Sequence, residues 1–329
     1  MNQHHAPTAS KKHSLSDGMI VVYKPRGMSS KDVSRWFERR FTRIKMGHVG
    51  TLDPMAEGVL PVLFGKATRI QDFLLAGTKC YEFDVKFGTA TDTLDLDGEV
   101  IGEAPVGDFT LEDIQAVCAG MEGSFTQIPP IYSAIKYQGK PLYEYARSGR
   151  GDEVPRDLLR KVVQIDKMVC LKYEEGVGTF RVNCSKGTYV RVLSHHIAET
   201  LGTLGVVVRL LRVATGDLDV GTSVSLDTLE QEQESVHKYI IPLANIRLDI
   251  PSWQAEDLTL IQRLKMGQEM QVDMKSFETG LTQSDNKRSS IKSLDHMILI
   301  DKSGQSFGIG SAVVQNTGRV AVRMRRGLS

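Results

Sequence analysis

His48, Asp53 and Glu57 are the titratable side chains of one glycine-rich stretch, Gly47-His48-Val49-Gly50-Thr51-Leu52-Asp53-Pro54-Met55-Ala56-Glu57-Gly58-Val59-Leu60. A single Asp held before a Pro, in a loop between two apolar segments, has the makings of a positioned carboxylate. It also has the makings of an ordinary turn, because Asp-Pro and Gly are turn residues. Residue types alone favour the turn. Gly47, Gly50 and Gly58 indicate a backbone that turns sharply or lets another surface come close.

Other residues capable of chemistry lie further on. In Tyr81-Glu82-Phe83-Asp84-Val85-Lys86-Phe87 apolar and charged residues alternate, so Tyr81, Phe83, Val85 and Phe87 share one face of a strand. Spacing alone makes Tyr81 one more core aromatic. The segment from Pro129 to Arg147 interleaves four tyrosines with Lys136, Lys140 and Arg147. Rings that stack on splayed bases and cations that meet phosphates suit looped RNA. An ordinary surface hairpin accounts for the composition equally well. Thr91 to Gly98 is superficially a calcium loop, but aligning Gly98 to the required glycine puts Ala104 where a bidentate Glu must stand. It reads instead as an acidic turn between strands. His195 and His196 are adjacent on a helix, point to different faces and make no metal pair.

The elements that must position these residues are legible in part. Gly18 to Tyr23 is a short apolar strand. Ser29 and Asp32 form a capping box opening a helix whose buried stripe is Val33, Trp36, Phe37 and Phe41. Arg35, Arg39, Arg40 and Arg43 lie mostly on its other face, which residue types make a solvated one. Lys66 to Ala76 reads as a helix ended by Gly77. Thr110 and Asp113 cap another, ended by Gly120. Val162–Leu171 and Gly178–Cys184 form a strand pair. A turn at Ser185 leads into a helix carrying Leu193, Ile197 and Leu201, and Val206–Val213 is a buried strand. After Ile250-Pro251 short strand patterns dominate. The polar run from Phe277 to Ser290 lacks periodicity and reads as a mobile loop.

Composition narrows the class. A chain of 329 residues is long enough for one large domain or two smaller ones. No apolar run reaches the length of a membrane span, and the polar N-terminus lacks a signal-peptide core. Four cysteines without a CxxC pair argue against a zinc site or disulfide framework and fit a reducing, cytoplasmic compartment. A net charge of +1 means that a nucleic-acid partner must be met by cations clustered on one face.

The literal string GHVGTLDPMAEGVLPV fills every fixed position of the pattern GHxGxLDPxAxGxLP, and so resembles the catalytic motif of the TruB family of tRNA pseudouridine synthases. Further strings match in the family's order over roughly residues 18–220. They are KPxGxxS from Lys24, KxYxFxxxxG from Lys79, TDTxDxxG from Thr91, PPxYSAxKxxGxxxYxxAR from Pro129 and CSxGTYxR from Cys184.

The resemblance implies an α+β fold: a mixed, mainly antiparallel central sheet with flanking helices, and a small, mostly β, PUA-like C-terminal domain. The expected organisation is a disordered tail over 1–16, a catalytic domain over 17–249 with an RNA-gripping thumb at about 129–156, and the PUA-like RNA-binding domain over 250–329. In that domain Arg319, Arg323, Arg325 and Arg326 are either phosphate contacts or a solvated edge.

The implied reaction is isomerisation of the uridine at position 55 of the tRNA T-loop to pseudouridine. It needs neither cofactor nor metal. The implied partner is the T-loop and T-stem of tRNA, met by a monomer. Asp53 is the catalytic carboxylate, and three routes stay open: attack at the anomeric carbon, addition to carbon 6 of uracil, or removal of the ribose 2′ proton. Burying a lone carboxylate favours its neutral form, so a cation must hold the charge, and motif position makes Arg191 the partner. The resemblance gives His48 the place of the flipped base. By the same resemblance Tyr81 and Tyr189 are expected to hold the uracil, Leu210 to line its pocket, and Lys136, Lys140 and Arg147 to grip the RNA. The Lys24-Pro25 motif is structural, and Glu57 falls at a variable position without a role. Leu211 stands where the family often has Arg, which puts one polar contact in doubt. A family member acting on another RNA, or a tRNA-folding chaperone on the same scaffold, are the competing readings.

Overall fold

The computed structural model describes residues 14–282 and 293–328. Most of the expected N-terminal tail lies outside the described residues. Leu15, assigned to that tail, is instead buried in the main core beside Val33, Phe37 and Phe41.

Two sheets carry the chain. The larger is built on β1 (Gly18–Lys24), β2 (Met46–His48), β3 (Glu57–Phe64), β4 (Lys79–Phe87), β5 (Gly123–Gln127), β6 (Lys161–Glu174), β7 (Val177–Cys184) and β8 (Gly205–Thr215). Its spatial order is β1-β3-β8-β4-β7-β6-β5, with Val224–Ser225 beyond β1 and β2 on β3. Pairing is antiparallel except for β3 with β8 and β1 with Val224–Ser225. The sheet is therefore mixed and mainly antiparallel, as the fold class requires.

The alternation along β3 shows why its sequence is apolar throughout. Leu60, Val62 and Phe64 join the main core under α1 (Ser30–Arg40), whereas Val59 and Leu63 join a second cluster on the opposite face. A strand covered on both faces cannot alternate with polar residues. The helix α1 starts at the expected capping box, since Ser29 Oγ accepts from Asp32 N and the Asp32 carboxylate accepts from Ser29 N. Its inward Phe37 is fully buried. Phe37→Ala would cost about 3–5 kcal/mol, as large core truncations do. On the outer face, Arg40 pairs with Glu230 and lies over the Trp36 ring.

The expected helix at Lys66–Ala76 is two pieces, a 3-10 turn over Gly65–Ile70 and the α-helix α2 (Gln71–Ala76). Further along lie α3 (Leu111–Gly120), the short α4 (Leu142–Arg147) and α5 (Val190–Thr200).

The second sheet is formed by β9 (Ser252–Gln254), β10 (Glu269–Asp273), β11 (Ser293–Ile300), β12 (Ser306–Val314) and β13 (Arg319–Gly327), in the order β10-β13-β12-β11-β9 with Leu281–Thr282 outside β9. Its core gathers Trp253, Phe277, Leu299, Phe307 and Val322. This is the small, mostly β, PUA-like domain. The loop expected from Phe277 to Ser290 needs correction at its start. Residues Met274–Gly280 are helical, Phe277 is fully buried against Trp253, and Leu281–Thr282 pair with β9. One buried aromatic anchors the segment where polar composition hides it. Residues 283–290 lie outside the described residues. Among the described residues, no helix is long and apolar enough to cross a membrane.

Candidate active site

The loop between β2 and β3 is held from three sides. Ser30, at the start of α1, accepts from Leu52 N at 2.8 Å through its hydroxyl, which also donates to Leu52 O at 3.1 Å. The carbonyl of Pro54 accepts from Gly27 N at 2.8 Å and from the fully buried Lys24 Nζ at 3.4 Å. Lys24 Nζ also donates to Pro25 O and Met28 O. Arg212, on β8, donates from Nε to Val59 O at 2.7 Å and from Nη2 to Gly50 O at 2.9 Å and Val49 O at 3.3 Å. Asp53 is thus suspended between pinned backbone on both sides.

The loop glycines make room for protein. A Cβ on Gly50, whose φ is +73°, would stand 2.8 Å from Arg212 Nη1, and one on Gly58, with φ of +101°, would collide with the Arg212 carbonyl. They answer the close-approach reading of the sequence, and the approaching surface is β8.

Asp53 faces a buried cation. Arg191, from the first turn of α5, is 3% exposed, and its Nη2 lies 2.9 Å from Asp53 Oδ2. Its Nη1 lies 3.3 Å from Asp95 Oδ2. Two carbonyls complete the cradle: Nη1 donates to Thr93 O at 2.8 Å and Nη2 to Tyr132 O at 2.9 Å. One guanidinium therefore ties together the Asp53 loop, the acidic turn and the segment around Tyr132. Asp95 itself is buried, and burial pushes its carboxyl pKa up, against the opposing pull of the Thr93 hydroxyl and Arg191. Asp53 remains about one-third exposed, facing the opening.

That opening is a cleft of about 350 Å³ lined by Asp53, Tyr81, Tyr189, Arg191, Leu210 and Arg212, with Ser133, Ala134 and Ile135 of the thumb on one wall. Tyr81 reaches it because β4 pairs with β8 in a register that sets Tyr81 opposite Arg212. Burial raises the Tyr81 pKa, an effect that the Arg212 charge beside the hydroxyl only partly offsets. Burial also raises that of Tyr189. Both phenols are neutral at physiological pH. Tyr189 is presented at the N-terminus of α5 by Gln127, whose side chain is almost fully buried. Its Oε1 accepts from Tyr189 N at 3.0 Å and its Nε2 donates to Gly187 O.

The structure gathers Asp53, Tyr81, Tyr189, Arg191 and Leu210 in this cleft. His48 is not in its lining. It closes β2, with Nε2 3.2 Å from the Thr51 hydroxyl, and burial lowers its pKa, helped by Arg212. Lys136, Lys140 and Arg147 are exposed on the thumb, a two-stranded hairpin followed by α4. Not all of the thumb tyrosines are available to bases. Tyr145 is buried in a small cluster with Leu142 and Val154, Tyr137 packs against it, and the Tyr132 hydroxyl donates to Asp92 at 2.9 Å. A small lobe with a core of its own needs rings inside. Tyr143 is the half-exposed one, with Arg147 over its ring.

Leu211, half-buried, does not line the cleft; its neighbour Arg212 does. Sequence reasoning missed Asp95, Arg212 and Gln127. The TDTxDxxG string contained Asp95 but reads as a turn. Tyr81 and Arg212 fall on facing positions only once β4 and β8 are known to be neighbours. Gln127 left no signal.

Comparison with known proteins bears on this site. Residues 38–190 match the family model described as TruB family pseudouridylate synthase, N-terminal domain. The tRNA pseudouridine synthase B of Bacillus subtilis (strain 168) is 33% identical over 300 residues, covering 90% of this chain and 93% of the relative. That of Psychrobacter cryohalolentis is 35% identical over 327 residues, covering 89% and 90%. The chain belongs to the TruB family of pseudouridylate synthases. It is accordingly an isomerase that turns uridine into pseudouridine. A solved Cbf5–Nop10–Gar1 complex superposes with a TM-score of 0.69 at 23% identity, covering 95% of this chain and 85% of that one, and shares the fold.

Proposed function

We propose that this TruB-family synthase isomerises uridine 55 in the T-loop of tRNA, with Asp53 as its catalytic carboxylate. The observation that carries the reading is the Asp53–Arg191 ion pair at 2.9 Å on the wall of a cleft lined by two tyrosines. The substrate assignment draws on the relatives named tRNA pseudouridine synthase B. In the reaction the bond from ribose to nitrogen 1 of uracil breaks and one to carbon 5 forms. The proton on carbon 5 leaves and nitrogen 1 ends protonated. Nothing is oxidised and no water is consumed.

The chain's residues divide this work. Arg191 favours the ionised carboxylate at Asp53, which acts at the ribose or the base. Asp95 takes the other side of the guanidinium and fixes its plane. Tyr81 and Tyr189 hold the detached uracil between them while Leu210 excludes water from it. Their raised pKa values keep both hydroxyls protonated, so they bind and donate rather than act as bases. His48, neutral because its pKa is lowered, enters the RNA loop where the base has left. Lys136, Lys140 and Arg147 meet phosphates. Residues 250–329 add a PUA-like RNA surface to a catalytic domain of residues 17–249, and the protein acts as a cytoplasmic monomer.

Mapping pseudouridine at nucleotide resolution in tRNA treated with the protein tests the reading. The parent should modify the T-loop uridine. Asp53→Asn should lose about a thousandfold or more of that activity and still bind tRNA. Modification confined to another RNA or another uridine would overturn the substrate assignment, and parental turnover by the variant would overturn the role of Asp53.

A further inference from the structure

The His48 side chain meets the Thr51 hydroxyl, and its backbone pairs with β3 opposite Val62. A second hold on that backbone comes from α2. Gln71, its first residue, donates from Nε2 to the His48 carbonyl at 3.0 Å. The Oε1 of the same amide fills the space beside Gly47, where a Cβ would stand only 2.5 Å from it. Gln71 thus grips the backbone on the N-terminal side of the catalytic loop.

Residues 65–76 also reach the C-terminal domain. Arg326 donates from Nη1 to Arg69 O at 2.6 Å, reaches Asp72 Oδ2 with Nη2 at 3.0 Å and lies over the Phe73 ring at 5.5 Å. Arg69 donates back to Gly327 O, and His296 packs edge-on against Phe73 at 5.1 Å. The Asp72 pair is exposed and contributes little by itself. Beneath it, however, Val49, the residue after His48, is fully buried in a cluster that also contains Ala67, Ile70, Ile309 and Leu328. Polar contacts and apolar packing therefore both lead from β12 and β13, through residues 65–76, to the histidine.

We propose that Gln71 is a positioning residue for His48 and that the C-terminal domain, acting through Arg326 and α2, sets the place of this histidine against the RNA. The inference rests on the reading of His48 as the group that replaces the flipped base. It adds to the C-terminal domain a task other than RNA affinity: keeping the catalytic domain in register for base flipping. A misplacement of an ångström can cost up to about a hundredfold in rate without loss of binding.

The test uses the full chain and a tRNA carrying 2-aminopurine beside the target uridine, so that fluorescence reports flipping while product is measured in single turnovers at saturating RNA. Gln71→Ala and Gln71→Met should slow both signals about tenfold, with tRNA affinity within about twofold of the parent. Gln71→Glu, which turns a carboxylate toward the His48 carbonyl, should be slower still. Arg326→Ala should give a smaller loss, about threefold, and the Gln71→Ala/Arg326→Ala double variant should be no slower than Gln71→Ala. Parental flipping by the Gln71 variants, when His48→Ala is slow, overturns the proposal and leaves the role of His48 standing. Parental flipping by His48→Ala overturns both. Multiplying defects in the double variant overturn the link to the C-terminal domain. Lost tRNA affinity together with a lowered melting temperature in both Gln71→Ala and Gln71→Met marks the residue as merely structural, and overturns the positioning role.

Discussion

Two arginines are almost completely buried beside the same cleft, and their surroundings are opposite. Arg191 faces two carboxylates and two carbonyls, and one of those carboxylates, Asp53, opens onto the cleft. Arg212 faces carbonyls of Val49, Gly50 and Val59 and the Tyr81 hydroxyl, and burial lowers its pKa. A buried cation among carboxylates governs their charge. A buried cation among carbonyls governs the course of the backbone. One site needs both, because a carboxylate acts only if it is ionised and also in the right place.

This contrast can be broken by exchanging the head groups. Arg191→Lys keeps a charge but cannot serve four acceptors on two nitrogens. It should lower turnover about a hundredfold, with a smaller fall in melting temperature than Arg212→Met because the charge is kept, which steady-state assays and calorimetry would record. Arg212→Met should cost stability first, and turnover only through the loop it no longer holds in place. It strands three buried carbonyls, each worth about 1–3 kcal/mol when unsatisfied, so melting should fall by several degrees, and hydrogen exchange should quicken at the loop amides. If Arg191→Lys unfolds the protein while Arg212→Met only slows it, the division of labour is wrong.

A gentler test bears on the thumb, because Tyr132 lends its carbonyl to Arg191. The Lys136→Ala/Arg147→Ala pair should weaken tRNA binding and reduce the slope of log affinity against log salt by about one to two. Turnover at saturating tRNA should hold, since neither residue touches the Arg191 cradle. Binding that is indifferent to these changes would detach the thumb from RNA recognition.

The smallest effect concerns Lys24, a third buried cation on carbonyls, whose pKa burial lowers to about 8 from the ordinary 10.5. Below pH 8 the folded and unfolded chains both carry the proton, and the cost of burying the charge is borne in full. Between 8 and 10.5 the unfolded chain holds a proton that the folded chain has lost, so stability rises with pH across that window. Lys79 behaves alike, its pKa also lowered to about 8 by burial. Replacing Lys24 with Met should remove about half of that alkaline rise in melting temperature. An unchanged rise would show that Lys24 does not titrate there.

Much of the site could be read from order along the chain. The motif strings brought Asp53, Tyr81, Tyr189 and Arg191 forward, the family resemblance added Leu210, and all five line one cleft. The capping boxes at Ser29 and Thr110 are local hydrogen-bond patterns, which is why they appear in the structure as spelled. Asp95 was legible only as part of a turn, because a carboxylate in TDTLDLDG gives no sign that a guanidinium from α5 will bury it. Phe277 was lost among polar neighbours, since one anchoring ring outweighs their composition only when Trp253 is there to receive it.

The sequence by itself determined which chemistry is available: a lone aspartate in a loop with glycines where side chains cannot fit, aromatic rings on one face of a strand, and cations in a thumb. Periodicity, caps and short motifs are properties of neighbouring residues, and neighbours carry their information along the chain. Tertiary structure alone decided what those residues face. Strand order set Arg212 opposite Tyr81, a bridge from Asp95 to Val207 brought the acidic turn to Arg191 across about a hundred residues, and a β domain came to rest on the helix that bonds the His48 carbonyl. Such pairings depend on which surfaces exclude water together, and that is settled by the whole fold at once.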